Sequence, residues 1–315
     1  MSSTGILLDD RFKRHSTGQG HPERPERLTA IEQGLSGAGL LESCTRIEPA
    51  LIPEGLLQCV HTHDYLTRLD AACRQAYPYI DVPDSAIGPE SYEIARLAAG
   101  GTVKAARLIA GGDLKRAFCA VRPPGHHAEI DRSLGFCLLN NPALAASVLR
   151  DEFSIDRLLV LDWDVHHCNG TQNVFAADPR VLVISVHGHP TYLYPGTGYE
   201  NEVGVDRGRG YTINIPMLPG ARDEDFQAAF RQRIVPAVGR FAPQFVLLSV
   251  GYDAHVDDPI GNLSLSDEIF GWMTEVALEL ADRHAEGRVL SILEGGYNLD
   301  VLRRCIVEHV RLLNS

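Results

Sequence analysis

The chain has 315 residues, with 29 Lys plus Arg against 41 Asp plus Glu, a net charge of −12 at pH 7. With 44% hydrophobic and 22% charged residues it has the balance of a globular protein, which excludes a disordered or coiled-coil chain. The acid excess speaks against a nucleic-acid partner, because phosphate-backbone binding runs on Lys and Arg. No apolar run approaches the roughly 20 residues that cross a bilayer, so no membrane partner is expected either. Met1 to Thr17 lacks the charged and apolar regions of a signal peptide. Seven scattered cysteines with no CxxC pair read as free thiols in a reducing cytoplasm rather than as a disulfide framework.

Short apolar runs recur along the chain: Gly5–Leu8, Ala117–Val121, Leu158–Leu161, Val181–Val186, Phe245–Val250 and Val289–Leu293. They are rich in Val, Leu and Ile and do not alternate with polar residues, which is how strands buried on both faces of a parallel sheet read. Tyr211–Pro216 adds one more strand. Helical patterns fill the intervals: Pro89–Ala110, Asn141–Glu152, Asp223–Val238, Ser266–Ala285, where Ser266 stands at the capping position, and Leu299–Leu313. Strand–helix alternation of this kind predicts an α/β three-layer sandwich, a mainly parallel sheet with helices on both faces. Residues 187–209 and 254–265 are expected as long loops, and long loops in a compact domain are often functional. Length alone allows one large domain or two, no repeat or linker-like stretch divides the chain, and motifs contributed along all of it make residues 1–315 one expected domain.

Polar chemistry follows each apolar run. Ala117–Val121 leads to Arg-Pro-Pro-Gly-His126-His127, Leu158–Leu161 to Asp162-Trp-Asp164-Val-His166-His167, and Val181–Val186 to His187-Gly-His189. Phe245–Val250 leads to Gly-Tyr-Asp253-Ala-His255, and Val289–Leu293 to Glu294-Gly-Gly-Tyr297. Open α/β sheets bind ligands outside the carboxyl ends of their strands, so five strand ends aim at one site.

Alternate residues of an extended segment share a face, so Asp162, Asp164 and His166 point together and His167 points away. Two carboxylates and an imidazole repel unless a cation or a proton sits among them. Asp164, His166 and Asp253 would make a site with one position open, the pattern of catalytic zinc, and Fe²⁺, Co²⁺ or Mn²⁺ also suits such a mixed N/O set. His126 and His127 can both face a bound water if each is oriented from behind, with Asp162 and Asn169 available for that. Tyr297 supplies a phenol that can donate to an oxyanion while neutral.

These motifs together resemble the zinc-dependent histone deacetylase and acetylpolyamine amidohydrolase family, of the arginase/deacetylase fold. The resemblance runs through His21-Pro-Glu-Arg-Pro-Glu-Arg27-Leu28, Arg122-Pro-Pro-Gly-His-His127, Gly135-Phe-Cys-Leu-Leu-Asn140-Asn141 and Asp162-Trp-Asp-Val-His-His167. It continues through Asn169-Gly-Thr, Pro195-Gly-Thr-Gly198, Gly251-Tyr-Asp253, Asp258-Pro-Ile-Gly261 and Glu294-Gly-Gly-Tyr297. The Asp-Trp-Asp and Glu-Gly-Gly-Tyr wording is closest to the class II branch and to bacterial class II-like histone deacetylase-like amidohydrolases.

The resemblance implies Zn²⁺ on Asp164, His166 and Asp253, with Fe²⁺ or Co²⁺ as substitutes. It implies His127 as general base and acid, oriented by Asn169, and His126, backed by Asp162, as electrostatic partner of the water. Tyr297 would hydrogen-bond the oxyanion. A structural potassium ion is implied on Asp162, Asp164, His166, Ser185 and Val186, and a second alkali site near Phe175 and Tyr211. Gly135, Phe136 and Tyr194 would line the acyl-amide tunnel, Ile260 would sit at its rim, and Asp84-Ser85 would contact the substrate backbone. Polyamine-selective relatives place a Glu at the rim, so neutral Ile260 points to an acyl-lysine-type amide, small molecule or peptide. Polyamines remain the alternative, with Asp81 or Asp84, or a partner subunit of a homo-oligomer, supplying carboxylates; a catalytically weak acyl-amide binder is the other. Cys168 stands where the family has Gly, and would be strained if that position needed a positive φ.

Overall fold

The computed structural model of the chain describes residues 4–315. Among them, eight strands form one sheet, all neighbours parallel: β1 (Thr4–Leu7), β2 (Thr45–Arg46), β3 (Arg116–Cys119), β4 (Leu158–Asp162), β5 (Val181–Gly188), β6 (Thr212–Met217), β7 (Phe245–Val250) and β8 (Val289–Leu293). The six expected apolar runs and the strand before Pro216 are all found, each within two residues of its expected bounds. β3, β4, β5, β7 and β8 are buried along their whole length, the reason they lack the alternation of a half-exposed strand. β2, two exposed residues pairing with β1, carried no apolar signal.

Helices surround the sheet. Leu299–Leu313 packs on both Glu26–Gly37 and Asp267–His284, and Ser91–Ala110 packs on Asn141–Phe153. The single helix expected over Asp223–Val238 is three pieces: an α-segment Asp223–Ala229, a wider turn Phe230–Ile234, and a second α-segment Val235–Phe241. Pro236 has no N–H to donate back, and the backbone widens just before it. Ser266 stands at the capping position, but its hydroxyl donates to Asp223 Oδ2 at 2.6 Å rather than to its own helix.

The sheet order, β2-β1-β3-β8-β7-β4-β5-β6, makes the five motif-bearing strands contiguous, running from β3 to β5. The polar segments after β3, β8, β7, β4 and β5 therefore meet at one carboxyl edge. Register sharpens this: Asp162 ends β4 opposite Ser185 of β5 and Ser249 of β7.

Candidate active site

The segment 162–168 leaves β4 at the centre of that edge. Asp164 Oδ1 lies 3.0 Å from His166 Nδ1, and Asp253 Oδ2 lies 3.3 Å from the same nitrogen. Both carboxylates are fully buried, and each spends its other oxygen on backbone: Gly295 N–H donates to Asp164 Oδ2 and Val165 N–H to Asp253 Oδ1. Asp253 Oδ2 has no hydrogen-bond partner among the described residues. Glycine is required around them, because a Cβ at Gly295 would stand 2.1 Å from Asp253 Oδ2 and one at Gly251 2.3 Å from Asp164 Oδ2. Burial and the charge of Asp164 push Asp253 up to about 7, while the same two carboxylates, against the cost of burial, hold His166 up to about 9. Positive charge is thus short at this spot, and two buried carboxylates with one imidazole fit a divalent cation that accepts mixed N and O donors. His167 turns away, to Thr197 and Gln172.

The tandem histidines sit at a ring separation of 4.0 Å beside this cluster. Burial disfavours a charged His126, but Asp162, Asp164 and Glu294 outweigh it and raise the ring to about 10. Its Nδ1 lies 3.0 Å from Asp162 Oδ2. His127 goes the other way: burial, then the charges of His126 and His166, hold it well below the usual histidine value. Its Nδ1 lies 2.6 Å from Asn169 Oδ1. The amide's orientation is set from its far side, since Asn169 Nδ2 donates to Glu129 Oε1 at 2.8 Å. Nδ1–H of His127 therefore donates to Asn169, and Nε2 is left with a free lone pair.

Tyr297 is buried, under the Arg27 guanidinium at 5.1 Å, and its phenol is held neutral by burial, well above the usual value. Phe136 meets Tyr297 edge-on at 6.0 Å, and Tyr194 meets His127 edge-on at 5.2 Å. Gly135 has φ +53, and a Cβ there would stand 2.3 Å from the His127 ring. Gly135 and Tyr194 thus lie against His127, and Phe136 against Tyr297. Ile260 is half-buried in the 254–265 loop.

Other expectations fare differently. Ser85 is fully buried and its hydroxyl donates to Asp84, so it supports Asp84 instead of presenting its own side chain. Asp81 is committed to the Arg68 guanidinium and to Ser133 N–H, which ties two loops together and removes it as a free carboxylate for an amine. Cys168 has φ −76, so the substitution for Gly carries no left-handed strain. Ser185 Oγ pairs with His187 Nδ1 at 2.8 Å, and Val186 follows it within β5. The Phe175 and Tyr211 carbonyls accept Asp178 N–H and Val183 N–H, and each keeps a second lone pair. Tyr211 lines a cavity of about 420 Å³ with Arg157, Pro179 and Phe241, ahead of the strands and not at their carboxyl edge.

Several supporting residues went unassigned in the sequence. Glu23 is buried between Arg122 and Arg27. Arg27 reaches on to Gly296 O at 2.7 Å and Glu294 O at 2.5 Å. Glu294 Oε2 accepts Gly125 N–H at 2.7 Å and His126 N–H at 3.1 Å, which fixes the histidine loop. The motifs containing these residues were visible, but their partners are largely backbone atoms of distant segments.

Comparison with known proteins matches residues 21–313 to the histone deacetylase domain. The chain is 40% identical to a probable deacetylase of Archaeoglobus fulgidus, covering 94% of this chain and 82% of that protein. It is 38% identical to a histone deacetylase-like amidohydrolase of Pseudomonas aeruginosa, covering 89% of this chain and 73% of that protein. Histone deacetylase 15 of Arabidopsis thaliana is 40% identical, and there the chain spans about half of the relative, 54%. A crystal structure of the HDA15 HD domain superposes with a TM-score of 0.94 at 38% identity, covering 99% of this chain and 88% of that one. No helix among the described residues is long and apolar enough to cross a membrane. With its sheet, its buried edge cluster and these likenesses all in agreement, the chain belongs to the histone deacetylase family and is a hydrolytic deacetylase of acylated amines.

Proposed function

We propose that this chain is a zinc-dependent amidohydrolase that removes the acyl group from an acetyl-lysine-type amide. The observation that carries this reading is the convergence of Asp164 Oδ1, His166 Nδ1 and Asp253 Oδ2 beside two histidines of opposite character. Those three residues would hold the metal, Zn²⁺ first and Fe²⁺ or Co²⁺ as substitutes. A bound divalent ion supplies Lewis acidity toward the amide carbonyl and acidifies a water from ~16 toward ~7.

The chain's own residues do the rest. His127, neutral and with a free Nε2, takes the proton from the attacking water and returns it to the leaving amine. Asn169 keeps the ring in the tautomer that this requires. His126, kept cationic by Asp162, stays charged throughout and stabilises negative charge next to the water. Tyr297, a neutral phenol, donates to the developing oxyanion. Phe136 and Tyr194 suit the methylene stem of a lysine-like substrate, and Asp84, supported by Ser85, lies at the rim to meet its backbone. Ile260 offers no charge to a remote ammonium, which supports an acyl-lysine over an acetylpolyamine.

The reading extends to a structural K⁺ on Asp162, Asp164, His166, Ser185 and Val186, to one catalytic unit over residues 1–315, and to a cytoplasmic setting with no nucleic acid or membrane as partner. A strong chelator should abolish hydrolysis of an acetyl-lysine peptide, and Zn²⁺ or Co²⁺ should restore it. Unchanged turnover after verified metal removal sinks the metal mechanism, and a clear preference for N-acetylputrescine sinks the substrate assignment.

A further inference from the structure

The Asp258-Pro-Ile-Gly261 motif has given only Ile260 to the site so far, yet its acid is the more connected residue. Asp258 is buried at 8% exposure. Its Oδ1 accepts Ile260 N–H at 3.0 Å, and its Oδ2 accepts Tyr297 N–H at 2.7 Å and Asn298 N–H at 3.2 Å. Three backbone donors converge on its two carboxylate oxygens, which can accept all three. An amide would turn an N–H toward one of the three.

Tyr297 needs such a tether. It follows Gly295 and Gly296, which Asp164 and Arg27 anchor and of which Gly296 has φ +114; Asp258 holds the next amide, that of Tyr297 itself. Asn298 Nδ2 donates to Asp257 O at 2.9 Å and adds a second link between the same two segments. The rim loop that provides these links is itself fixed. Val256 N–H donates to Leu265 O at 3.0 Å across its base. Gly261 presses on the backbone of Asp253, where a Cβ would stand 1.8 Å from the carbonyl oxygen.

We infer that Asp258 is a positioning residue for Tyr297: its carboxylate fastens the Gly-Gly-Tyr segment to the rim loop and so aims the phenol at the reacting carbonyl. This rests on the oxyanion role assigned to Tyr297 above. One group thereby sets both the rim, through Ile260, and the oxyanion donor.

The test is a double-mutant cycle of Asp258→Asn with Tyr297→Phe, read as kcat on an acetyl-lysine peptide, with bound metal per chain and melting temperature measured for all four proteins. Asp258→Asn alone should lower kcat about tenfold or more, as loss of an orienting partner does. In the Tyr297→Phe background it should change kcat by less than about twofold, because a missing hydroxyl cannot be misaimed. Metal content should stay at the wild-type level throughout. Losses that multiply in the double mutant overturn the inference and leave the Tyr297 reading standing. Loss of metal in Asp258→Asn also overturns it, since the effect then runs through Asp253. A wild-type rate for Tyr297→Phe overturns the oxyanion reading and the inference with it. Should Asp258→Asn fail to fold, Asp258→Glu carries the same cycle: it keeps the carboxylate but displaces its oxygens by one methylene from the Ile260, Tyr297 and Asn298 amides.

Discussion

Two consecutive histidines, built on one loop and both buried, differ in what stands behind them: a carboxylate 3.0 Å from His126 and an amide 2.6 Å from His127. A third buried histidine, His309, stands between two hydroxyls, with Thr274 Oγ1 and Ser291 Oγ each at 2.8 Å. Burial works against the charged form in all three. It wins at His127, held well below the ordinary value, and at His309, held down to about 3. It loses at His126, raised to about 10, because Asp162 is joined there by Asp164 and Glu294. Neighbouring charge, more than depth, decides what a buried imidazole can do.

The largest effect should come from removing the neutral ring. His127→Gln should lower kcat about 10³-fold, and His126→Gln about 10²-fold, within the range for positioned acid–base groups. Equal losses would erase the distinction between a base and a fixed charge. A subtler change makes the two histidines alike. Asn169→Asp puts a carboxylate behind His127, raises its basicity and should cost about 10- to 100-fold in kcat at neutral pH. A faster or unchanged enzyme would mean that the amide is not what keeps His127 available.

The smallest effect belongs to His309 and is read as stability. Its folded value, about 3, lies below the ordinary 6.5, so the unfolded chain binds the proton first as pH falls. The contribution is complete above about pH 6.5 and is lost progressively toward pH 3. His15, also near 3, and His61, near 4, act in the same direction. His309→Gln should therefore flatten only part of the fall in melting temperature between pH 7 and pH 4, by a few degrees. An unchanged slope would remove His309 from the acid-sensitive set.

How much of this was legible in the sequence follows from which atoms do the work. The central strands were readable because side chains buried on both faces leave an unbroken apolar run, as in Phe245–Val250. The helix Glu26–Gly37 was not, because Arg27 lies on its buried face and breaks the apolar pattern. Asp164, His166, Asp253, His126, His127 and Tyr297 stood out because their side chains carry the chemistry and cluster at strand ends. Glu294 and Asp258 were visible only as members of their motifs, without a role, because what they bind is backbone N–H of segments far away in sequence. A backbone amide has no residue type, so no letter in the sequence marks the partner.

The reach of Arg27 has a consequence for biosynthesis. Its Nε–H donates to the carbonyl of Gly296, 269 residues downstream, and its other bonds hold Glu23 and the Glu294 carbonyl. On the ribosome Arg27 emerges well before Gly296, so part of its guanidinium must stay hydrated until residues 294–296 have been made. The active site can therefore close only after residue 296 has left the ribosome.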